Sequence, residues 1–178
     1  ISIVENKIKN SPVSIGGKIN NLNIESYIEK KDIRRLDTFI QYGVVAAKQA
    51  IDDSGLIDNH INLDRIGINF GTGIGGVETI ENNHKSYLDK GYRKVSPFFV
   101  PGSIANMTSG FISIKYGLRG PNLCTVTACS SGSHSVGQAA RSIAYGEADA
   151  MVTGGSEMAS TELSISGFIS ARALSLST

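Results

Sequence analysis

The chain has 178 residues, of which 40% are hydrophobic and 19% charged, and its formal net charge is +1. This length supports one domain with a sizeable core, and the composition excludes a disordered chain. A net charge near zero gives no reason to expect nucleic-acid binding, and no apolar stretch approaches the roughly 18 residues of a membrane span.

Taken in chain order, the hydrophobic pattern predicts helices that alternate with strands. The first thirty residues are polar and predict a surface excursion with short strand-like pieces such as 13–15. Periodicity and glycine or proline boundaries then predict helices over 32–54, 77–88, 103–116 and from the turn at 129–132 to 144, and strands over 65–70, 123–128 and 148–153. This alternation indicates an α/β fold built around a mixed or parallel sheet.

Cys129 is the strongest candidate for chemistry, because it lies where a predicted strand turns sharply into a helix. Unpaired backbone N–H groups and the positive end of the helix dipole favour a thiolate at such a turn. A buried structural cysteine is the alternative. Cys124, Cys129 and His134 are evenly spaced but match no standard zinc site, so we predict no metal, a core role for Cys124 and a packed, hydrogen-bonded His134.

Several separated segments carry a family resemblance. The run 125–132 (TVTACSSG) resembles the nucleophile signature of the β-ketoacyl-acyl carrier protein synthases, which have the thiolase fold. Segments that resemble the same family, in its order and spacing, are 96–101, 106–107, 116–121, 143–149, 154–157 and 167–174. The similarity is closest to the type II condensing enzyme. It implies a thiolase-like layered α-β-α-β-α fold, of which residues 1–178 form the N-terminal domain, with a first strand expected upstream and a C-terminal half downstream.

The resemblance also implies an activity and a set of site residues. Cys129 would take an acyl group from acyl carrier protein, its backbone N–H would bind the oxyanion, and decarboxylation of malonyl carrier protein would supply the attacking carbanion. Two histidines and a lysine are expected beyond Thr178, so the fragment alone is expected to be inactive. The resemblance places Ile74, Phe99 and Phe168 along the acyl chain, and docks the carrier protein and its phosphopantetheine on Lys31, Arg34, Arg35, Arg93, Lys94 and Arg172. It further implies a homodimer in the cytoplasm that needs no metal or nucleotide cofactor. Neither nucleic acid nor a membrane is expected as a partner.

The residues leave several interpretations open. The turn 71–76 satisfies G-x-G-x-x-G and indicates a dinucleotide-binding module, but no second strand ending in Asp or Glu follows at the required distance. Four further classes are a polyketide ketosynthase, a type I condensing enzyme, a thiolase and a non-catalytic partner subunit. The basic residues alone also suit a solvated face. His60 and His84 are predicted to be solvated, and Asp149, Glu157 and Glu162 to be structural.

Overall fold

A computed structural model describes residues 2–3, 11–13, 15–17, 19–57 and 62–176. The strands in these residues are β1 (Ser2–Ile3), β2 (Ile15–Gly16), β3 (Ile66–Gly71), β4 (Asn122–Leu123) and β5 (Ala150–Gly155). The α-helices are α1 (Lys30–Ile33), α2 (Thr38–Ser54), α3 (Val77–Lys90), α4 (Phe99–Ser103), α5 (Met107–Tyr116), α6 (Ser131–Ala144) and α7 (Glu162–Ser170).

The chain forms two compact units. One comprises Ile24–Met158, and the other comprises Ile1–Asn23 together with Ala159–Thr178. The smaller unit contains α7 and the antiparallel pair of β1 with β2, in which Ser2 lies opposite Gly16. The larger unit contains the parallel sheet and the remaining helices.

The sheet of the larger unit is parallel, as predicted, with strand order β4-β3-β5. Ile68 in the central strand lies opposite Asn122 of β4 and Val152 of β5. All six residues of β3 are buried. A parallel strand that is covered on both faces reads as a nearly continuous apolar run, which explains why 65–70 is easy to identify in the sequence.

Helices cover both faces of the sheet. Side chains alternate between the two faces of a strand, so Asn69 and Phe70 point in opposite directions. The Phe70 ring lies against Gly43 of α2, where an added methyl group would come within 3.1 Å of it. The Asn69 amide instead donates a hydrogen bond to the carbonyl of Ser135 in α6. The predicted α/β layering is therefore correct.

The core lies between the sheet and the helices α2 and α5. Its fully buried side chains include Phe39, Ile40, Val44, Ile66, Ile68 and Ile112. Each such side chain contributes about 1.5–3 kcal/mol of stability through its burial. Ile28 is also buried in this cluster, so the first thirty residues are not purely a surface excursion. Within the predicted strand piece 13–15, residue 14 lies outside the described residues.

The predicted helix 32–54 is wrong at its N-terminal end, because the chain breaks between α1 and α2. Asp37 stops the first helix from continuing, since its carboxylate accepts a hydrogen bond from the Phe39 N–H and caps α2. The side-chain amide of Gln41 donates hydrogen bonds to the carbonyls of Ile33 and Leu36, which lie at this break. The predicted end is correct, because Gly55 adopts the left-handed conformation with φ 60°.

The predicted helix 103–116 is wrong at its start, because α5 begins only at Met107 and Ser103 is the last residue of the separate helix α4. Pro101 lies inside the first turn of α4 rather than before a helix, a position where its missing N–H leaves no intrahelical bond unmade. Ile104 then adopts an extended conformation with ψ 137° and separates α4 from α5. Gly117 ends α5 in the left-handed conformation, as the sequence predicts.

The predicted strands near the nucleophile also differ from those observed. The buried strand predicted over 123–128 is wrong, because β4 comprises only Asn122 and Leu123, both exposed, and residues 124–127 are irregular. The chain still follows β3 beyond β4, since Thr125 accepts a hydrogen bond from the Thr72 N–H. The strand predicted over 148–153 is shifted to 150–155, because β5 takes its register from β3.

None of the helices in the described residues has the length and apolar character that a membrane crossing requires.

Candidate active site

Cys129 lies in a single 3-10 turn (Ala128–Ser130) that leads directly into α6. Its thiol is free and the residue is exposed. The backbone N–H of Cys129 donates no hydrogen bond within the described part of the chain. The turn therefore presents a thiol and an unpaired N–H from the same residue, beside the N-terminal end of a fourteen-residue helix. The helix after Cys129 is as the sequence predicts, but residues 124–127 before the turn are irregular chain and not the predicted strand.

The residue before Cys129 has a strained backbone. Ala128 has φ 52°, in the left-handed region that residues with a Cβ seldom adopt. Such a conformation costs about 1–3 kcal/mol and persists only where surrounding contacts impose it. Those contacts come largely from Ser131, which is 3% exposed.

Ser131 connects the turn at Ala128–Ser130, which holds the candidate nucleophile and is called the nucleophile turn below, to the loop after β3. Its hydroxyl lies 2.7 Å from the Ala128 carbonyl and 3.1 Å from the Thr72 carbonyl, so its proton is shared between them. The same oxygen accepts the Thr127 N–H at 2.9 Å. Helix α6 can come this close because Gly71 ends β3, where an added Cβ would lie 2.5 Å from the Ser131 carbonyl.

Cys124 differs from Cys129 in its surroundings. It is half-buried, and this burial raises the pKa of its thiol, with a smaller opposing effect from the Thr72 backbone N–H. It lies in irregular chain after β4, so its predicted place in a strand is wrong. Burial and a raised pKa both make the Cys124 thiol less available as a nucleophile.

His134 is hydrogen-bonded but not packed. Its Nδ1 lies 2.8 Å from the Thr127 hydroxyl, and the residue is exposed. It lines a cavity of about 650 Å³ beside β4 and α6, together with Cys124, Val126 and Arg141 among others; Cys129 is not among the lining residues. Nowhere in the described chain do three or more His, Cys, Asp or Glu side chains form a group that could hold a metal ion. His84 is exposed on α3 as predicted, and His60 lies outside the described residues.

The glycine-rich turn after β3 is bound by a carboxylate of the protein itself. Glu157 accepts hydrogen bonds from the N–H groups of Gly73 and Ile74 at 2.5 and 2.9 Å and from the Thr72 hydroxyl at 3.1 Å. In a dinucleotide-binding unit these N–H groups would face the pyrophosphate. Because Glu157 occupies them, the structure does not favour the dinucleotide-binding interpretation, and the predicted structural role of Glu157 is correct.

Asp149 is structural as well. Its carboxylate binds the Arg65 guanidinium at 2.8 Å, and this hydrogen bond lowers the pKa of Asp149. The Arg65 side chain also donates to the carbonyls of Gly146 and Glu147, so it fastens the loop between α6 and β5 to the start of β3. Glu162 begins α7.

The three residues predicted to contact the acyl chain occur in different elements. Ile74 lies in the glycine-rich turn and is 48% exposed, and Phe99 begins α4. Phe168 lies in α7 of the smaller unit and is 40% exposed. Their role in the acyl pocket stays a prediction.

The basic residues predicted to bind a partner are exposed but differ in their contacts. Lys31 forms an ion pair with Glu29 at 2.8 Å, and the Arg35 guanidinium stacks 4.9 Å from the centre of the Phe98 ring. Arg93 contacts the neighbouring Tyr92 ring. Within the described residues, Arg34 and Lys94 form neither an ion pair nor a ring contact. Arg172 lies in the smaller unit, with φ 55°.

Sequence reasoning misses the part that two residues play in this site. It predicts a structural role for Glu157 but not the three bonds to the glycine-rich turn, and it treats Ser131 only as a small residue beside the nucleophile. An acidic residue two positions after a glycine-terminated strand is a usable signal, because strand ends of a parallel sheet share one edge with the loops that follow neighbouring strands.

Comparison with known proteins agrees with this geometry. The family described as "Beta-ketoacyl synthase, N-terminal domain" matches residues 5–178. The chain is 54% identical over 166 residues to 3-oxoacyl-[acyl-carrier-protein] synthase 2 of Vibrio cholerae and 50% identical over 163 residues to that of Staphylococcus aureus. It covers 40% of the length of each, while 93% and 92% of this chain is matched.

Solved structures show the same fold. A type II polyketide synthase acyl-carrier protein in complex with its ketosynthase bound to the hexaketide matches with a TM-score of 0.79 at 28% identity, covering 84% of this chain and 43% of that one. A β-ketoacyl synthase from Burkholderia phymatum matches with a TM-score of 0.70 at 26% identity, covering 83% of this chain and 36% of that one. The predicted thiolase-like α/β fold is thereby confirmed.

Proposed function

We propose that the protein is a 3-oxoacyl-[acyl-carrier-protein] synthase of fatty-acid biosynthesis, because the chain belongs to the β-ketoacyl synthase family through its N-terminal domain. The observation that carries the proposal is the exposed thiol of Cys129 in a strained turn before α6, with its N–H unpaired among the described residues. The relatives near 50% identity favour the fatty-acid reaction over a polyketide one, since the polyketide neighbour is 28% identical.

The proposed reaction has two steps on Cys129. Its thiolate attacks the acyl thioester of acyl carrier protein, a new thioester forms on Cys129, and the phosphopantetheine thiol leaves. Malonyl carrier protein then loses carbon dioxide, and the resulting carbanion attacks the Cys129 thioester. A carbon–carbon bond forms, the 3-oxoacyl group stays on the carrier protein, and the Cys129 thiolate is released. This scheme draws its acyl groups from phosphopantetheine and uses no metal or nucleotide.

The Cys129 N–H is proposed to stabilise the oxyanion in both steps. Negative charge develops on the thioester oxygen as each tetrahedral intermediate forms, and a fixed backbone donor is most effective when no other group occupies it. The unpaired state of this N–H supports that role. The neighbouring left-handed Ala128 supports it too, because strained backbone concentrates at sites where a group must be held in one direction.

The nucleophile is tested by comparing the two cysteines in the full-length protein. Cys129→Ala should abolish acyl transfer from acyl carrier protein and condensation, whereas Cys124→Ala should retain most of both. Intact-mass analysis followed by peptide mapping locates the acyl group. An acyl adduct on Cys124, or condensation that survives the loss of Cys129, would overturn the assignment.

Acyl carrier protein is the proposed partner, and Lys31, Arg34, Arg35, Arg93, Lys94 and Arg172 are its proposed docking residues. Arg34 and Lys94 give the cleanest test, because charge reversal there breaks no ion pair or ring contact among the described residues. We expect Arg34→Glu and Lys94→Glu to raise KM for carrier-protein substrates, most strongly at low salt. A small thioester without the carrier protein is the matched control. Equal losses with both substrates would show that these residues support the fold instead.

We further propose that the protein acts as a homodimer in the cytoplasm. The apolar side chains of Leu123 and Val126 near the sheet edge and of Val136 and Ile143 on α6 are 39–53% exposed, which supports a covering partner. Free thiols at both cysteines suit a reducing compartment. Light scattering should give twice the protomer mass, and Val136→Glu should give the protomer mass. A monomeric wild-type protein would contradict the dimer.

A further inference from the structure

We propose that Glu157 is a positioning residue for Cys129, which acts through the glycine-rich turn after β3 and the hydroxyl of Ser131. The inference rests on the proposed function in one respect, the role of Cys129 as nucleophile. Glu157 follows β5 and belongs to a different strand–loop unit from Cys129, so its influence has to pass through intermediate contacts.

The first contact fixes the glycine-rich turn. One carboxylate oxygen of Glu157 accepts the N–H groups of both Gly73 and Ile74, and the other accepts the Thr72 hydroxyl. Hydrogen bonds to a charged acceptor are about twice as strong as neutral ones. Three such bonds from consecutive residues hold the turn in a single position relative to the end of β5.

The second contact joins the glycine-rich turn to the first residue of α6. The Thr72 carbonyl accepts the Ser131 hydroxyl, which is buried. Gly73 adds a steric constraint, because a Cβ there would lie 2.8 Å from the Glu157 carboxylate and 3.4 Å from the Ala128 carbonyl. The turn is thus enclosed between Glu157 on one side and the backbone of the nucleophile turn on the other.

The third contact reaches the residue before the nucleophile. The Ser131 hydroxyl bonds the Ala128 carbonyl and the Thr127 N–H, the two groups that flank the left-handed backbone of Ala128. Rotation at Ala128 changes the direction of the Cys129 N–H and thiol together. A displacement of about 1 Å at a reacting group can cost a hundredfold in rate, so this chain of contacts has kinetic consequences.

The chemistry of the three bonds distinguishes Glu157→Gln from Glu157→Ala. A glutamine oxygen has two acceptor sites and can still receive the N–H groups of Gly73 and Ile74. Its amide N–H can donate to the Thr72 hydroxyl, which can accept as well as donate. Glutamine should therefore hold the turn, whereas alanine leaves both N–H groups without their partner.

The test measures Cys129 in two ways in the full-length protein. One is acylation by an acyl carrier protein thioester, with kcat and KM determined separately. The other is the rate of alkylation by iodoacetamide, read on the Cys129 peptide by mass spectrometry, which needs no substrate. Glu157→Ala should lower acylation kcat about tenfold with KM changed less than twofold, and slow alkylation about fivefold. Glu157→Gln should stay within threefold of wild type in both, as should the exposed control Glu147→Ala.

A double-mutant cycle tests the route through Ser131. If Glu157 and Ser131 act in series, Glu157→Ala combined with Ser131→Ala should slow alkylation no more than twofold beyond the stronger single change. Ser131→Ala alone should also slow alkylation about fivefold, so multiplied effects of about twenty-five-fold would show two independent contributions and overturn the inference. Each variant is measured well below its own unfolding midpoint. If Glu157→Ala does not fold, Thr72→Val, which removes only the hydroxyl bond to Glu157, takes its place in the cycle.

The two readouts separate this inference from the proposed function. Wild-type protein that is alkylated at Cys129 but never acylated would contradict the proposed function, and the alkylation rates would still decide the role of Glu157. Normal acylation in wild type, with Glu157→Gln as slow as Glu157→Ala, would overturn the positioning role alone. An effect of Glu157→Ala on KM without an effect on kcat would also overturn it.

Discussion

Asp37 joins two helices of the larger unit through a single buried carboxylate. The residue is 4% exposed, and its two oxygens serve different helices: one accepts the Phe39 N–H at 3.1 Å and caps α2, and the other accepts the Thr79 N–H at 2.8 Å near the start of α3. Asp37→Ala removes both acceptors at once, so the loss should exceed that of an ordinary helix cap.

The magnitude follows from these two bonds. Loss of an N-cap costs about 0.5–2 kcal/mol, and a buried N–H left without a partner costs about 1–3 kcal/mol. A total of about 3 kcal/mol corresponds to a Tm lower by about 6–12 °C in a chain of this size. Asp37→Asn keeps the shape but offers one acceptor oxygen, so about half of the loss is expected.

Thermal unfolding followed by circular dichroism measures this effect. The matched control is Asp53→Ala, which removes an exposed carboxylate from the last turn of α2, where a negative charge is unfavourable to the helix dipole. Its Tm should stay the same or rise slightly. If Asp37→Ala unfolds within 2 °C of Asp53→Ala, the reasoning that Asp37 stabilises two helix starts is refuted.

Three further predictions concern acyl length, pH and thiol reactivity. If the glycine-rich turn lines the acyl pocket, Ile74→Phe should slow acylation by long acyl groups about five- to a hundredfold and leave acylation by short ones unchanged. If the acylation rates of wild type and Ile74→Phe depend on chain length in the same way, Ile74 does not line the pocket. The Arg65 hydrogen bond lowers the pKa of Asp149 below its usual value of 3.8, so this pair stabilises the fold above that pH and the effect is lost progressively as pH falls below it. Asp149→Asn should therefore lower Tm more at pH 7 than at pH 2, whereas an equal decrease at both would exclude linkage. Because burial raises the pKa of Cys124 from 9.0, iodoacetamide at pH 8 should alkylate Cys124 more slowly than Cys129, and the reverse order would contradict the site.

Local patterns in the sequence predicted several of the elements and singled out Cys129 as the candidate nucleophile. Strand β3 is predicted to within one residue because Ile66, Ile68 and Phe70 give it an apolar character that Gly71 ends. The ends of α2 and α5 are predicted because Gly55 and Gly117 adopt the left-handed conformation that ends a helix. Cys129 is identified from its small neighbours and its place before a helix. All of these signals act within a few residues along the chain.

Tertiary structure decided the features that depend on partners far away in the chain. Asp37, which caps α2 locally, also bonds a backbone N–H 42 residues later, and β5 begins at Ala150 because it takes its register from β3. The Glu157 carboxylate reaches N–H groups more than 80 residues earlier, which no spacing rule within one segment predicts. Hydrogen-bond partners of this kind are chosen by how the strands are ordered in the sheet. Whether the G-x-G-x-x-G turn is open to an anion was therefore decided only when β5 packed beside β3 and brought Glu157 to it.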